Sequence, residues 1–315
     1  MSFRLLLIAV LIVAACVIPQ FLSRSTVDLL VFTCIYAIAG LGVGLLLGEC
    51  GIANLGQTVF YGIGAYSSAY VTVSLGGPSL GGFALGVALS AMLALAVGWP
   101  VLRLTGYFLA LATLALGIIA NALFYEWDWL TGGDLGIGGI PRLRILGYDL
   151  DTPLRFYYLA LATMLLCLLL ARNMVTSRSG LMLRATRDEA DAASSLAINL
   201  QWLRTRVFVL SAVLGSIAGS LFAHYGAFVN VQSFGITKAI AFLLIPALGG
   251  VHSLPGVIVG ALFITFLPEL LSSFGQMHQI LFGLALVGVV VAMPSGLVGG
   301  FRSVWQRLTL RVKGH

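Results

Sequence analysis

Apolar residues run along this chain in long blocks, and polar residues are confined to the gaps between them. A membrane-crossing helix needs about 20 mainly apolar residues, within a range of about 17 to 25. Ten blocks meet or approach that length: 4–19, 27–48, 57–75, 82–102, 106–125, 155–171, 207–229, 236–251, 256–271 and 278–295. Backbone amides in lipid must be satisfied within their own segment, so helix is expected for each. The strict alternation of a lipid-facing barrel strand is absent. The pattern predicts an all-α integral membrane protein, a polytopic helical bundle of about 8–10 transmembrane helices. Blocks 57–75 and 236–251 also admit a re-entrant reading. The first block, with Arg4 ahead of Leu5 to Ile18 and Val13-Ala14-Ala15-Cys16 behind, has the outline of a lipoprotein leader. A further apolar run follows it instead of a polar domain, so it is read as the first transmembrane helix.

Composition agrees: of 315 residues, 60% are hydrophobic and 9% charged, with a mean hydropathy of +1.05. A soluble domain carries about a quarter charged residues. The net charge of +6 does not indicate nucleic acid, because the basic residues lie in the gaps between blocks instead of along one face. They orient the chain instead. Ten crossings from a cytoplasmic N-terminus put Arg4, Arg103, Arg172, Arg178, Arg184, Arg187, Arg204, Arg206, Arg302, Arg307, Arg311 and Lys313 inside. Only Arg24, Arg142, Arg144, Arg155 and Lys238 then fall outside. Both termini come out cytoplasmic. A single transmembrane domain, 1–315, is expected, with a cytoplasmic loop at 172–206 and a periplasmic loop at 126–154 centred on the glycine-rich Thr131 to Pro141.

The chemistry on offer is sparse. No phosphate-cradling loop ending in Gly-Lys-Ser/Thr is present, since the lysines are Lys238 and Lys313 alone. His224, His252, His278 and His315 are scattered, without a hydrolytic or metal-binding arrangement. Cys16, Cys34, Cys50 and Cys167 sit in apolar runs and read as small apolar residues. Neither enzymatic activity nor a bound metal is expected. Glu49, Lys238 and Glu269 are the ionisable residues at or near the blocks' ends, where Lys238 can snorkel to the interface. Glycines recur at spacing four, as in Gly40, Gly44 and Gly48 or Gly256 and Gly260, which lets helix backbones approach closely.

The inner loop is the most informative stretch. From Ser179 to Asn199 it suits a helix after Gly180, with Ser179 as a candidate cap. Arg184 with Asp188, and Arg187 with Asp191, stand at the i,i+4 spacing of surface ion pairs. Ala190, Ala192 and Ala193 leave a low profile that another protein can approach.

This loop resembles the coupling segment of permease subunits of bacterial ABC importers, and in particular the branched-chain amino acid permease family. The likeness recurs through Gly51-Ile52-Ala53-Asn54-Leu55-Gly56-Gln57 with Gly62-Ile63-Gly64-Ala65-Tyr66, and through Gly106-Tyr107-Phe108-Leu109-Ala110 with Thr113-Leu114-Ala115-Leu116-Gly117. It continues in Leu130 to Pro141, in Gly249 to Gly256, and in Gly260-Ala261 with Leu267 to Leu271. The chain departs from the family pattern at Ala197, at Asp188-Glu189-Ala190, and at His252-Ser253, where Gly-Thr is more usual.

The resemblance implies a subunit that lines half of a translocation path and works by alternating access. Its implied partners are a second homologous permease, two cytoplasmic ATP-binding subunits and a periplasmic substrate-binding protein, in a lipid membrane and without nucleic acid. No cofactor is implied for this chain, since ATP is held by the partner subunits. Arg184, Arg187, Asp188, Glu189, Ala192 and Ala193 would serve ATPase coupling. Gly40, Gly44, Gly48, Gly62, Gly64, Gly256 and Gly260 would serve helix packing or gating. Glu49, Asn54, Thr113 and Glu269 are the candidates for the path or its interface. Branched-chain amino acids are the default substrate. Urea or short amides, or a self-contained channel or carrier for a small neutral solute, are the alternatives.

Overall fold

The computed structural model describes residues 13–145, 148–188, 199–293 and 296–300. Helix α1, Arg24–Cys50, starts on Ser23, whose hydroxyl accepts from the Thr26 amide. It ends at Gly51, whose φ of 68° suits glycine and lets the amides of Gly51 and Ile52 return to the Leu46 carbonyl. Then come α2, Gln57–Ala69, prolonged by a π-turn through Ser74, α3, Ser79–Val101, and α4, Gly106–Glu126. Helix α5, Pro153–Thr176, is capped by Thr152. A short α6, Arg178–Asp188, follows. Helices α7, Leu200–Gly226, and α9, Leu254–Leu271, are capped by Asn199 and Ser253, and between them lies α8, Ile236–Gly249. Helix α10, His278–Ala292, follows, and residues 296–300 are again helical.

Seven of these are long and apolar enough to cross a membrane: α1, α3, α4, α5, α7, α9, and α8 taken with the turn that precedes it. Helices α2 and α10 are shorter. The first apolar block, 4–19, lies largely outside the described residues.

Helices α1 and α7 form the centre, both buried along most of their length. They run antiparallel, with Asp28 bonded to the Tyr225 hydroxyl and Gly42 facing Ser211. Helix α2 runs parallel to α7, with the Ser220 hydroxyl donating to the Gly64 carbonyl at 3.0 Å.

Both segments that admitted a re-entrant reading start inside this bundle. Gln57, the first residue of α2, donates from Nε2 to the Ala39 and Ser211 carbonyls at 3.4 and 2.9 Å. Ala39 precedes the end of α1 by eleven residues, so the chain from 51 to 56 climbs back by about 16 Å at 1.5 Å per residue. Helix α8 begins beside Tyr36 of α1 and then runs along it, Phe242 meeting Tyr36, Ile245 meeting Gly40 and Pro246 meeting Gly44. With Ile245 level with Gly40, its first turn sits about 10 to 15 Å along α1 from Arg24. Where the two starts approach, Tyr61, Tyr66, Phe124, Phe222, Phe234 and Phe242 pack with centroids 5.1 to 6.5 Å apart. Such edge-on and tilted aromatic packing supplies cohesion where lipid removes the hydrophobic drive between helices.

The 126–154 loop covers the Arg24 end of the bundle. Gly132, Gly133, Gly136 and Gly139 all have φ between 55° and 71°, a region closed to most residues with a Cβ, which explains the glycine-rich centre. Strand β1, Ile137–Gly138, pairs antiparallel with β4, Phe228–Val229, and β2, Arg144–Ile145, with β3, Tyr148–Asp149.

Candidate functional site

Helix α6 leaves α5 through Ser177, whose hydroxyl accepts from the Gly180 amide at 3.3 Å and donates to the Met174 carbonyl at 2.6 Å. The cap is thus Ser177, not Ser179, because the helix starts at Arg178, two residues earlier than a cap at Ser179 implies. Its arginines turn inward. Arg184 Nη1 lies 3.5 Å from Glu49 Oε2, and its Nη2 donates to the Val175 carbonyl at 3.3 Å. Arg187 Nη1 donates to the Gly48 carbonyl at 2.5 Å and meets His252 Nδ1 at 3.2 Å. A guanidinium only donates, so Nδ1 of His252 accepts. Asp191, the expected i,i+4 partner of Arg187, lies outside the described residues. The Asp188 side chain, with Glu189, Ala192 and Ala193, lies outside the described residues.

Arg187 also lies along Gly51, the residue at which the chain turns back into the bundle. From there the path of the backbone is held by side chains. The Asn54 carboxamide accepts from the Gly56 amide at 2.9 Å and donates to Gln57 Oε1 at 3.2 Å. The Thr113 hydroxyl of α4 accepts from the Leu55 amide at 3.2 Å, and the Ser211 hydroxyl of α7 donates to Gln57 Oε1 at 3.0 Å. Asn54, Gln57, Thr113 and Ser211 are all fully buried. Irregular backbone at membrane depth requires such partners, since no water is there to satisfy it. Between this stretch and the start of α8 is a cavity of about 70 Å³, lined by Leu55, Thr58, Gly117, Asn121, Phe234 and Ile236 among others.

Gly40, Gly44 and Gly48 form one stripe of α1 pressed against α8, α9 and the turn between them. A Cβ on Gly44 would stand 3.2 Å from Val257 and 3.4 Å from Pro246. Gly256 and Gly260 let α9 approach α8 in the same way, and Gly62 and Gly64 seat α2 against Phe124 and the Ser216 carbonyl. Every one of these predicted glycines is at a close helix contact within the chain.

The sequence profile of the family described as branched-chain amino acid transport system / permease component matches residues 25–293. The chain is 31% identical to the high-affinity branched-chain amino acid transport system permease protein LivM of Escherichia coli K12, over 94% of this chain and 75% of that one. The chain belongs to this family. The family's LivH permease of the same organism is 23% identical over 84% of this chain and 91% of its own length. The autoinducer 2 import system permease LsrC of Yersinia enterocolitica is 27% identical over 86% of this chain and 77% of its own. As a member, with its apolar spans, the chain is a multi-pass protein of the bacterial inner membrane and a permease subunit of an ABC importer.

The family's recurrent motifs acquire physical jobs. The Gly51 to Gln57 stretch is the return into the bundle, and the Thr113 to Gly117 stretch is the wall that holds it. Glu49 is buried at the Cys50 end of α1 and paired, whereas Glu269 is exposed at the end of α9. His224 packs flat on Phe83 and its Nδ1 meets the Pro141 carbonyl at 2.8 Å, while Nε2 is buried without a partner among the described residues. Lys238 does not snorkel to the interface: its Nζ donates to the Tyr36 hydroxyl at 2.7 Å, near the middle of α1. Gln57, Ser211 and Tyr36 went unread in the sequence. A carboxamide directly after Ala53-Asn54-Leu55-Gly56 was the available sign for Gln57. Tyr36 had none, because its partner is 202 residues away.

Proposed function

We propose that this chain imports branched-chain amino acids into the cytoplasm as one half of a permease pair, by alternating access. The observation that carries the reading is the seat of α6. A short arginine-bearing helix is locked by Arg184 and Arg187 to the end of α1, beside the glycine where the chain turns back to mid-membrane. The Cys50 end is then the cytoplasmic one, in keeping with the basic residues gathered there. Two ATP-binding subunits would dock on the 172–206 loop, a second homologous permease would complete the path, and a periplasmic binding protein would deliver the substrate. Closure of the ATPase pair moves α6. Arg187 carries that movement to Gly48 and Gly51, and so to the 51–56 stretch and the start of α2. No cofactor is held by this chain, and ATP is hydrolysed on the partners. Branched-chain amino acids are favoured as cargo by the likeness to LivM and LivH, and by the aliphatic and aromatic lining between the two helix starts.

The test is to purify the chain with its co-expressed partners and measure ATP hydrolysis against binding proteins loaded with leucine or with urea. Stimulation by the leucine-loaded protein alone is expected. Stimulation by the urea-loaded protein would replace the substrate. Uptake by the chain reconstituted alone, with no ATPase bound, would replace the importer by a channel or carrier.

A further inference from the structure

A ridge of residues four apart winds along α1 and changes character half-way. At spacing four it presents Arg24, Asp28, Phe32 and Tyr36, then Gly40, Gly44 and Gly48. The glycine half is closed against α8 and α9. The other half passes the start of α8, and a cavity of about 240 Å³ opens at the Arg24 end, lined by Arg24, Asp28, Phe32, Arg142, Phe156 and Tyr225 among others. Phe32 continues the stripe to Tyr36, with ring centroids 6.1 Å apart. The stripe therefore runs from a charged rim, over aromatic rings, to Lys238 in the first turns of α8.

Lys238 is costly where it stands. A charged side chain within a span is rare and marks a substrate or ion pathway unless it is paired. Its Nζ is 2.7 Å from the Tyr36 hydroxyl and 4.5 Å from the centroid of that ring, and among the described residues no carboxylate is within ion-pair distance. An ammonium has three N–H donors, and Tyr36 takes one. The Tyr36 hydroxyl accepts that bond and keeps its own proton to donate, with no acceptor for it among the described residues. Two further N–H groups and one O–H thus lie side by side, a set of donors that matches the two oxygens of a carboxylate. The uncapped start of α8, where no side chain accepts from the first amides, adds positive potential in the same place. Phe32 and Phe242 flank Tyr36 and supply apolar surface.

We infer that Lys238 and Tyr36 form a carboxylate subsite on the translocation path, which holds the α-carboxylate of an amino acid on its way from the Arg24 end. The assignment rests on the proposed import of branched-chain amino acids and names the group of that substrate which the permease reads. Urea lacks this group and has nothing to offer the site.

The complete transporter, reconstituted with its ATPases and binding protein, tests it in Lys238→Gln, Lys238→Arg and Tyr36→Phe forms. Lys238→Gln is expected to lower leucine uptake by about tenfold or more, the cost of one charge-assisted hydrogen bond. Lys238→Arg is expected to recover most of that loss, and Tyr36→Phe to fall between. ATP hydrolysis stimulated by the leucine-loaded binding protein should persist in all three, so that uptake per ATP falls. Uptake by Lys238→Gln equal to wild type overturns the subsite. So does a parallel loss of uptake and ATP hydrolysis that arginine does not restore, which is the signature of a purely structural lysine. A wild-type complex that takes up no branched-chain amino acid overturns the import reading itself, and the subsite with it.

Discussion

Glu49 occupies the last turn of α1, where the unpaired carbonyls of a helix end already concentrate negative charge. A carboxylate there is unfavourable unless cations face it, and α6 provides Arg184 at 3.5 Å, with Arg187 on the Gly48 carbonyl one residue before it. The pair is half-sheltered, with side-chain exposures of 37% for Arg184 and 10% for Glu49. Arg184→Ala therefore leaves a buried charge next to a negative helix end, and is expected to cost about 1–3 kcal/mol. Glu49→Gln removes charge from that end and is expected to cost less. Since both act on one contact, the double variant should lose less stability than the two single losses added together. Thermal unfolding of the purified protein in detergent measures all three. Strict additivity would mean that the two side chains do not share an interaction, and Arg187 would then be the arginine that ties α6 to α1.

At the scale of elements, α1 and α8 approach each other because glycine stands where they cross. A Cβ on Gly40 would be 2.5 Å from Ile245 Cγ2, so Gly40→Ala is expected to destabilise by about 1–3 kcal/mol through overpacking. Removing the opposing Cγ2, with the rest of the side chain beyond Cβ, by Ile245→Ala should restore part of that loss in the double variant, as a lower but recovered unfolding midpoint. Failure of Ile245→Ala to compensate would place the clash elsewhere. This contact was legible in the sequence, since glycines four apart on an apolar run declare a close helix pair. The depth at which α2 and α8 begin was not. Run length reports how far a helix extends, whereas depth is set by partners distant along the chain, such as Gln57 with Ser211 and Lys238 with Tyr36, separated by 154 and 202 residues. The helix after Gly180 was legible too, but the inward turn of its arginines depended on Glu49 and Gly48 of α1, brought near only by the fold.

For the whole molecule, the two ends of the bundle differ in charge but share an aromatic border. Trp99, Trp202 and Tyr107 lie near the Cys50 end, and Tyr125, Trp127 and Trp129 near the Arg24 end, all exposed as the belts of a membrane protein are. The guanidiniums of Arg103 and Arg206 stand 6.0 and 5.1 Å from the Trp99 and Trp202 rings, at the level where a charged head meets the interface. Between the belts, α3 and α4 turn large apolar side chains such as Leu85, Leu89, Met92, Leu111 and Ile118 outward. The excess of arginine at the Cys50 end predicts that this end is cytoplasmic, and the prediction can be checked directly. Cys34, Cys50 and Cys167 are buried and Cys16 is half-buried, so single cysteines introduced on the surface dominate the signal once these four are replaced by alanine. Asp134→Cys lies in the exposed 126–154 loop and Arg178→Cys at the exposed start of α6. A membrane-impermeant maleimide added to spheroplasts should label the first, and the second only after lysis. The opposite order would put α6 outside the cell, out of reach of any cytoplasmic ATPase, and the coupling proposed for Arg184 and Arg187 would be physically impossible.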